Sequence, residues 1–137
     1  MTEEQIALAR RAVACRGWRW MPGMKGTYPA GSVAVRVHGV GLGLDPYCDA
    51  FALHSCQRFN VPVSRLHDPD LTDPATLGCL LALVREVWGK PAVLMFWGDY
   101  WQVVYTSDVE DGCAGHEHIG DGDTEAEALA NALENAP

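Results

Sequence analysis

The sequence contains no apolar run near the roughly 18 residues that a membrane-spanning helix needs. Residues 1–6 include two glutamates and lack the basic-then-apolar order of a secretion signal. No Gly-Lys-Ser/Thr triplet of a phosphate-binding loop occurs anywhere, and residues 106–137 hold no Lys or Arg. We therefore expect a cytoplasmic protein with no membrane partner and no resident nucleotide.

Cysteine is scarce and odd in number, with five residues in the chain. Two of them, Cys15 and Cys79, fall inside apolar helical patterns, where free thiols behave as small hydrophobic side chains. A disulfide framework is therefore not expected in a reducing compartment.

Length and composition are those of one globular domain covering residues 1–137, with 48% apolar and 20% charged residues. The net charge of −8 is unevenly spread, with +4 in residues 1–40, −3 in residues 41–105 and −9 in residues 106–137. The two ends either neutralise each other in the fold or steer a partner to one side. The negative total disfavours direct nucleic-acid binding, although an acidic surface can also mimic DNA.

Periodicity predicts three amphipathic helices and several short strands. The helices begin at a Thr2–Gln5 capping box, at Thr72 or Asp73, and at a Thr124–Glu127 capping box. The predicted strands are residues 18–20, 33–38, 92–97, 100–106 and 117–119, and a short helix is expected within residues 47–59. The fold class is therefore α+β: a mainly antiparallel sheet of three to five strands, packed by two or three helices in one sandwich-like domain.

Three segments carry a resemblance to known proteins: LARRAVACRGWRWMPGM (8–24), PDLTDPATLGCLLALVREVW (69–88) and GDTEAEALANAL (122–133). They resemble small uncharacterised proteins of phages and prophages, which are similar to phage helix–sheet–helix sandwich domains. The resemblance implies a phage origin, the cytoplasm of the host cell and an α/β sandwich. It brings no catalytic residues.

Aromatic residues gather at a predicted hairpin tip, where Trp97, Tyr100 and Trp101 flank a two-residue Gly98-Asp99 turn. An exposed aromatic hairpin would be a binding anchor, and packing against the N-terminal helix is the alternative. Tyr47 and Phe51, on one side of the expected short helix, are further binding candidates.

Cys113, His116 and His118 place three potential zinc ligands within six residues. The spacing matches no zinc motif of fixed geometry, so the alternative is a polar loop with solvated histidines and no cofactor. A second, looser group could serve a metal or a thiol nucleophile, and consists of Cys48, His54, Cys56 and His67.

No catalytic constellation stands out, so we expect a non-enzymatic phage accessory protein that binds a host or phage protein. An inhibitor of a host defence system, such as an anti-CRISPR protein, is one instance. Two alternatives stay open: a small metal- or thiol-dependent enzyme, and a homo-oligomeric structural or assembly module.

Overall fold

The computed structural model describes residues 1–28, 33–38, 47–52, 57–62, 66–107 and 115–137. Three helices lie in these residues: α1 (Glu3–Ala14), α2 (Pro74–Trp88) and α3 (Glu125–Glu134). The strands that accompany them are β1 (Lys25–Tyr28), β2 (Val33–Val37), β3 (Tyr47–Ala52), β4 (Gln57–Pro62), β5 (Val93–Phe96), β6 (Trp101–Ser107) and β7 (Gly115–Gly122).

Side chains cap each helix at its start. The Thr2 hydroxyl accepts a hydrogen bond from the Gln5 N–H at 3.2 Å, and the Gln5 side chain accepts from the Thr2 N–H at 2.8 Å. This capping box confirms the prediction for α1. The helix ends at Ala14, because Cys15 already has extended backbone angles.

The predicted cap of α2 is confirmed, and the capping box predicted for α3 forms only in part. Asp73, not Thr72, caps α2, and Gly89 ends that helix with a φ of 60°. In α3 the Thr124 side chain accepts from the Glu127 N–H, as predicted. The Glu127 carboxylate accepts from the Asp123 N–H, one residue before the cap, so only half of a capping box forms.

In the described ranges, seven strands form two antiparallel sheets, ordered β1-β2-β3-β4 and β5-β6-β7. The α+β class is therefore confirmed, with three helices and two sheets where one sheet was expected. Residues 67–70 run along β1 and share backbone hydrogen bonds with it, including the Thr27 N–H to the Asp68 carbonyl at 3.2 Å.

The helix expected within residues 47–59 is wrong. The backbone forms β3 and β4, which pair from Tyr47 opposite Pro62 to Ala52 opposite Gln57. Tyr47 and Phe51 are four residues apart, a spacing that places two residues on one face of a helix and equally on one face of a strand. The pattern alone could not distinguish the two.

The strand expected at residues 18–20 is also wrong, and β1 was not predicted. Trp18 and Trp20 pack edge to face with ring centroids 5.7 Å apart, while Arg19 pairs with Glu86 at 2.5 Å. A Cβ atom on Gly26 would lie 2.5 Å from the Trp20 ring, so at this position the backbone of β1 itself packs against the ring. Strand β1 therefore lacks the apolar alternation by which strands are recognised.

One cluster of buried residues draws on all three helices and both sheets. It includes Ala9 of α1, Val35 and Val37 of β2, Leu83 of α2 and Val103 of β6. The inner face of α3 is also buried, and comprises Ala126, Leu129, Ala130 and Leu133. This core fixes the positions of the β5–β6 hairpin and of the start of α3.

Candidate functional site

The β5–β6 hairpin turns tightly at Gly98-Asp99, as predicted. The Trp97 N–H donates to the Tyr100 carbonyl at 2.9 Å, and Gly98 has a φ of 90°. This left-handed backbone favours glycine as the first residue of a two-residue turn. The turn therefore holds the flanking aromatic residues at a defined place on the end of the three-stranded sheet.

Exposed apolar surface is concentrated at this hairpin. Six large apolar side chains among the described residues are exposed, and four belong to β5 or its turn: Val93, Phe96, Trp97 and Tyr100. Phe96 and Trp97 are 56% and 54% exposed. Large aromatic side chains that project together into solvent mark interaction surfaces more often than scattered single ones do.

Trp101 differs from its neighbours because it is partly buried against the core. Its ring lies 5.0 Å from the Phe96 ring, centroid to centroid, at an angle of 43°. It also lines a groove together with Leu8 of α1. Trp101 therefore packs against the core, whereas Trp97 and Tyr100 stay exposed. We call Phe96, Trp97, Tyr100 and Trp101 the aromatic hairpin.

The groove next to Trp101 has a volume of about 370 Å³. Three helices and β6 build its apolar wall, which consists of Leu8, Leu71, Leu77, Trp101 and Ala126. Its polar lining is Gln5, Thr72, Asp123, Thr124 and Glu125. The strand register places Phe96 opposite Trp101 on one face of the sheet, so Phe96 continues the apolar surface of the groove. Trp97 and Tyr100 follow at the turn, on the other face of the hairpin.

Carboxylates surround this surface. Asp99 lies in the turn, and Asp123 and Glu125 line the groove; we call these three residues the acidic rim. Trp101 pairs with Gly122, which brings Asp123 beside the hairpin. Among ion pairs between described residues, none includes a member of the acidic rim.

Five of the six bases in residues 1–40 form ion pairs away from the acidic rim. Arg11 pairs with Glu134 at 2.7 Å, which joins α1 to α3. The other four pairs join bases before residue 40 to acids of the middle region: Arg10–Asp68, Arg19–Glu86, Lys25–Asp70 and Arg36–Asp73. Mutual neutralisation of the two ends is therefore limited to Glu134 among the described residues, and the acidic rim keeps its charge.

The other predicted binding residues lie in a different sheet. Tyr47 and Phe51 belong to β3 of the four-stranded sheet, whereas the aromatic hairpin is part of the three-stranded sheet. The structure describes the backbone pairing of β3, and the contribution of the Tyr47 and Phe51 side chains to partner binding stays a prediction.

Of the predicted zinc ligands, His116 and His118 lie two residues apart on β7, and therefore on one face of the strand. Cys113 lies outside the described residues. The His118 Nε2 is 3.7 Å from the Asp121 carboxylate. Within the described ranges no three His, Cys, Asp or Glu side chains are grouped so that they could hold a metal ion.

The two cysteines with described side chains, Cys15 and Cys79, are free and partly buried. Burial raises the pKa of both thiols, so they stay protonated and unreactive near neutral pH. In the second cysteine and histidine group, residues 54 and 56 lie outside the described part of the chain.

Sequence reasoning missed the groove. Leu8, Leu77 and Ala126 fit the apolar stripes of three helices, and such residues are normally counted as core. Phe96 lay in a continuous apolar run, which does not reveal which residues face solvent. The nearest sequence signal was the crowding of acids after residue 105.

In the part of the chain that is described, no helix has the length and apolar character needed to cross a membrane. Comparison with protein-family models, curated proteins and solved structures finds no match to this chain.

Proposed function

We propose that this chain is a non-enzymatic protein-binding module that anchors its partner on the aromatic hairpin. The observation that carries the proposal is the exposure of Phe96, Trp97 and Tyr100 around a tight turn. Tryptophan and tyrosine are over-represented among the residues that dominate binding energy at interfaces. They bury a large area while giving up few rotatable bonds.

The placement of the hairpin supports the same function. The ring of Trp101 is fixed against the core, and Phe96 stacks on that ring. The exposed aromatic residues therefore project from a rigid base, which lowers the entropy lost when a partner binds.

The resemblance to phage proteins gives the proposal its more specific form. The partner is then a protein of the bacterial host or of the phage, and a component of a host defence system is one such target. An inhibitor of this kind acts by occupying a surface, for which an aromatic anchor is suited and a catalytic group is not required.

Affinity capture from a bacterial lysate tests the proposal. The bait is the full chain, compared with a Trp97→Ser/Tyr100→Ser double variant. The double variant should bind the retained protein at least about 30-fold more weakly, which is the loss expected when a dominant anchor is removed. Isothermal titration with the purified partner measures the difference.

Val13→Ser is the matched control, because Val13 is an exposed apolar residue of α1, 39% accessible, that does not belong to the hairpin. Both variants must first give the wild-type circular dichroism spectrum. Wild type and Val13→Ser should retain the same protein. Equal retention by the hairpin variant, or no protein retained by any bait, would contradict the proposal.

A further inference from the structure

The lining of the groove beside the aromatic hairpin indicates which kind of partner segment this surface can bind. We propose, on the basis of the protein-binding function proposed above, that the groove takes an apolar side chain of a partner segment. The acidic rim then binds Lys or Arg residues that flank this side chain in the partner.

Shape and lining support the apolar part of the proposal. The wall of Leu8, Leu77 and Trp101 offers no charged group, and the volume of about 370 Å³ lies at the low end for ligand sites. A groove of this size and lining suits the side chain of a protein segment. Phe96 lies opposite Trp101 in the hairpin, contacts its ring and is 56% exposed, so it extends the apolar surface that the segment covers.

Charge complementarity supports the basic part. Asp123 and Glu125 line the groove, Asp99 lies in the neighbouring turn, and none of the three takes part in an ion pair between described residues. A partner that desolvates part of this rim without supplying positive charge would meet an uncompensated cost. A basic partner both avoids that cost and associates faster.

The same charges argue against two other occupants. A second copy docked symmetrically on this surface would bring two acidic rims together, and like charges at an interface are destabilising. A nucleic-acid backbone would be repelled for the same reason. The occupant is therefore a basic and apolar segment of another protein.

Selection from a library of short random peptides, displayed as fusions, tests the inference with the purified full chain as bait. Selected peptides should be enriched in an apolar residue flanked by Lys or Arg. Enrichment of acidic or uncharged peptides, or recovery of no peptide above background, would overturn it.

The same charge reversal at two equivalent helix positions provides a variant in the groove and a matched control outside it. Glu125 and Glu3 are both the first residue of a helix that follows a threonine cap, but only Glu125 lines the groove. Glu125→Lys should weaken binding of a selected basic peptide about tenfold or more in low salt. Glu3→Lys should bind the same peptide as the wild type does, and equal losses in both variants would overturn the inference.

The Trp97→Ser/Tyr100→Ser variant separates this inference from the proposed function. Peptides that need Trp97 and Tyr100 but ignore Glu125→Lys would leave the aromatic anchor standing and overturn the basic segment. Basic peptides that ignore the double variant but are lost in Glu125→Lys would support the groove and its rim while contradicting the aromatic anchor.

Discussion

Asp73 connects β2 to the start of α2 through a single carboxylate. Its oxygens accept from the Thr76 N–H and hydroxyl, both at 3.0 Å, and from two Arg36 nitrogens at 3.0 and 2.7 Å. The hydrogen bonds from Arg36 hold the pKa of Asp73 well below its usual range. One residue therefore serves both as helix cap and as ion-pair partner.

Substitution of Asp73 should separate these two roles. We expect Asp73→Ala to lower the free energy of unfolding by about 1–2 kcal/mol, because the cap and the ion pair are both lost. Asp73→Asn should cost less, since asparagine is also a good cap. Urea titration followed by circular dichroism measures both, and equal losses would contradict a separate contribution from the cap.

Acid should remove the contribution of the Arg36–Asp73 pair. Because the pKa of Asp73 is lower in the folded than in the unfolded chain, the stabilisation is fully present above pH ~4. It is lost as pH falls through the lower folded-state value. Asp73→Asn should therefore flatten the dependence of stability on pH below pH ~4, whereas Asp99→Asn, outside any ion pair of the described residues, should leave it unchanged.

Single residues illustrate what could be predicted from the sequence. The caps Thr2 and Thr124 were predicted because a threonine three residues before Gln or Glu can cap a helix. The hydrogen bonds involved join residues within one turn, so the pattern can be recognised from a short stretch of sequence. The segment Trp18-Arg19-Trp20 was wrongly predicted to be a strand because its residues alternate between apolar and charged. Such alternation indicates which side chains face solvent, but not whether the backbone is hydrogen-bonded to a neighbouring strand. The two tryptophans are partly buried and Arg19 is exposed, yet the segment pairs with no strand among the described residues.

Strand β7 and helix α3 are in direct backbone contact. A Cβ atom built on Gly120 would lie 2.5 Å from the Ala128 carbonyl oxygen and 2.5 Å from the Ala132 nitrogen. Gly122, two residues along the same face, would meet Glu127 and the Ala128 nitrogen at 2.6 and 2.7 Å. These two glycines allow the helix to lie against the strand and thereby set the position of the acidic rim.

Two glycine-to-alanine substitutions should have opposite effects. Gly120→Ala forces helix and strand apart, so we expect a loss of about 2 kcal/mol or more in the free energy of unfolding. Gly78 lies exposed in α2 with open space at its Cβ position, and Gly78→Ala should stabilise by about 0.5–1 kcal/mol. Thermal unfolding measures both changes, and a stable Gly120→Ala protein would contradict the close contact.

Elements whose apolar residues recur at one clear helical or strand spacing were predicted well. Elements without such a spacing were not. The stripe predicted for α2 fits a helix and no strand, and consists of Leu77, Leu80, Leu81, Val84 and Trp88. Leu80 and Val84 are buried and the other three are partly buried, whereas Leu83, outside the predicted stripe, is fully buried. Strands β3 and β4 were missed because the spacing of Tyr47 and Phe51 fits both structures. Their pairing depends on partners distant in sequence, which no local pattern encodes.

Paired and unpaired charges lie in different parts of the molecule. Five of the six bases before residue 40 are paired with acids of the middle region or with Glu134, and the acidic rim takes part in no ion pair between described residues. The hairpin was predicted from sequence because Trp97 and Tyr100 flank a recognisable turn. The groove was not, because it is a gap between elements that exists only once they are packed.

Salt should weaken partner binding. Raising NaCl from ~0.05 M to ~0.5 M screens exposed charges, so the association rate constant with a selected basic peptide should fall more than the dissociation rate constant rises. Surface plasmon resonance measures both constants. Val13→Ser should show the wild-type salt dependence and Glu125→Lys a smaller one, whereas salt-independent association of the wild type would contradict a role for the rim.

The indole N–H resonances of the five tryptophans test the account most directly. Trp101 lines the groove, and Trp97 is exposed at the hairpin turn. Trp18 and Trp20 pack on each other, and the Trp88 indole donates to the Ala132 carbonyl at 2.8 Å. In a titration of ¹⁵N-labelled protein with its tightest selected peptide, the Trp97 and Trp101 signals should move and the other three should stay. Movement confined to Trp18, Trp20 or Trp88 would contradict the account.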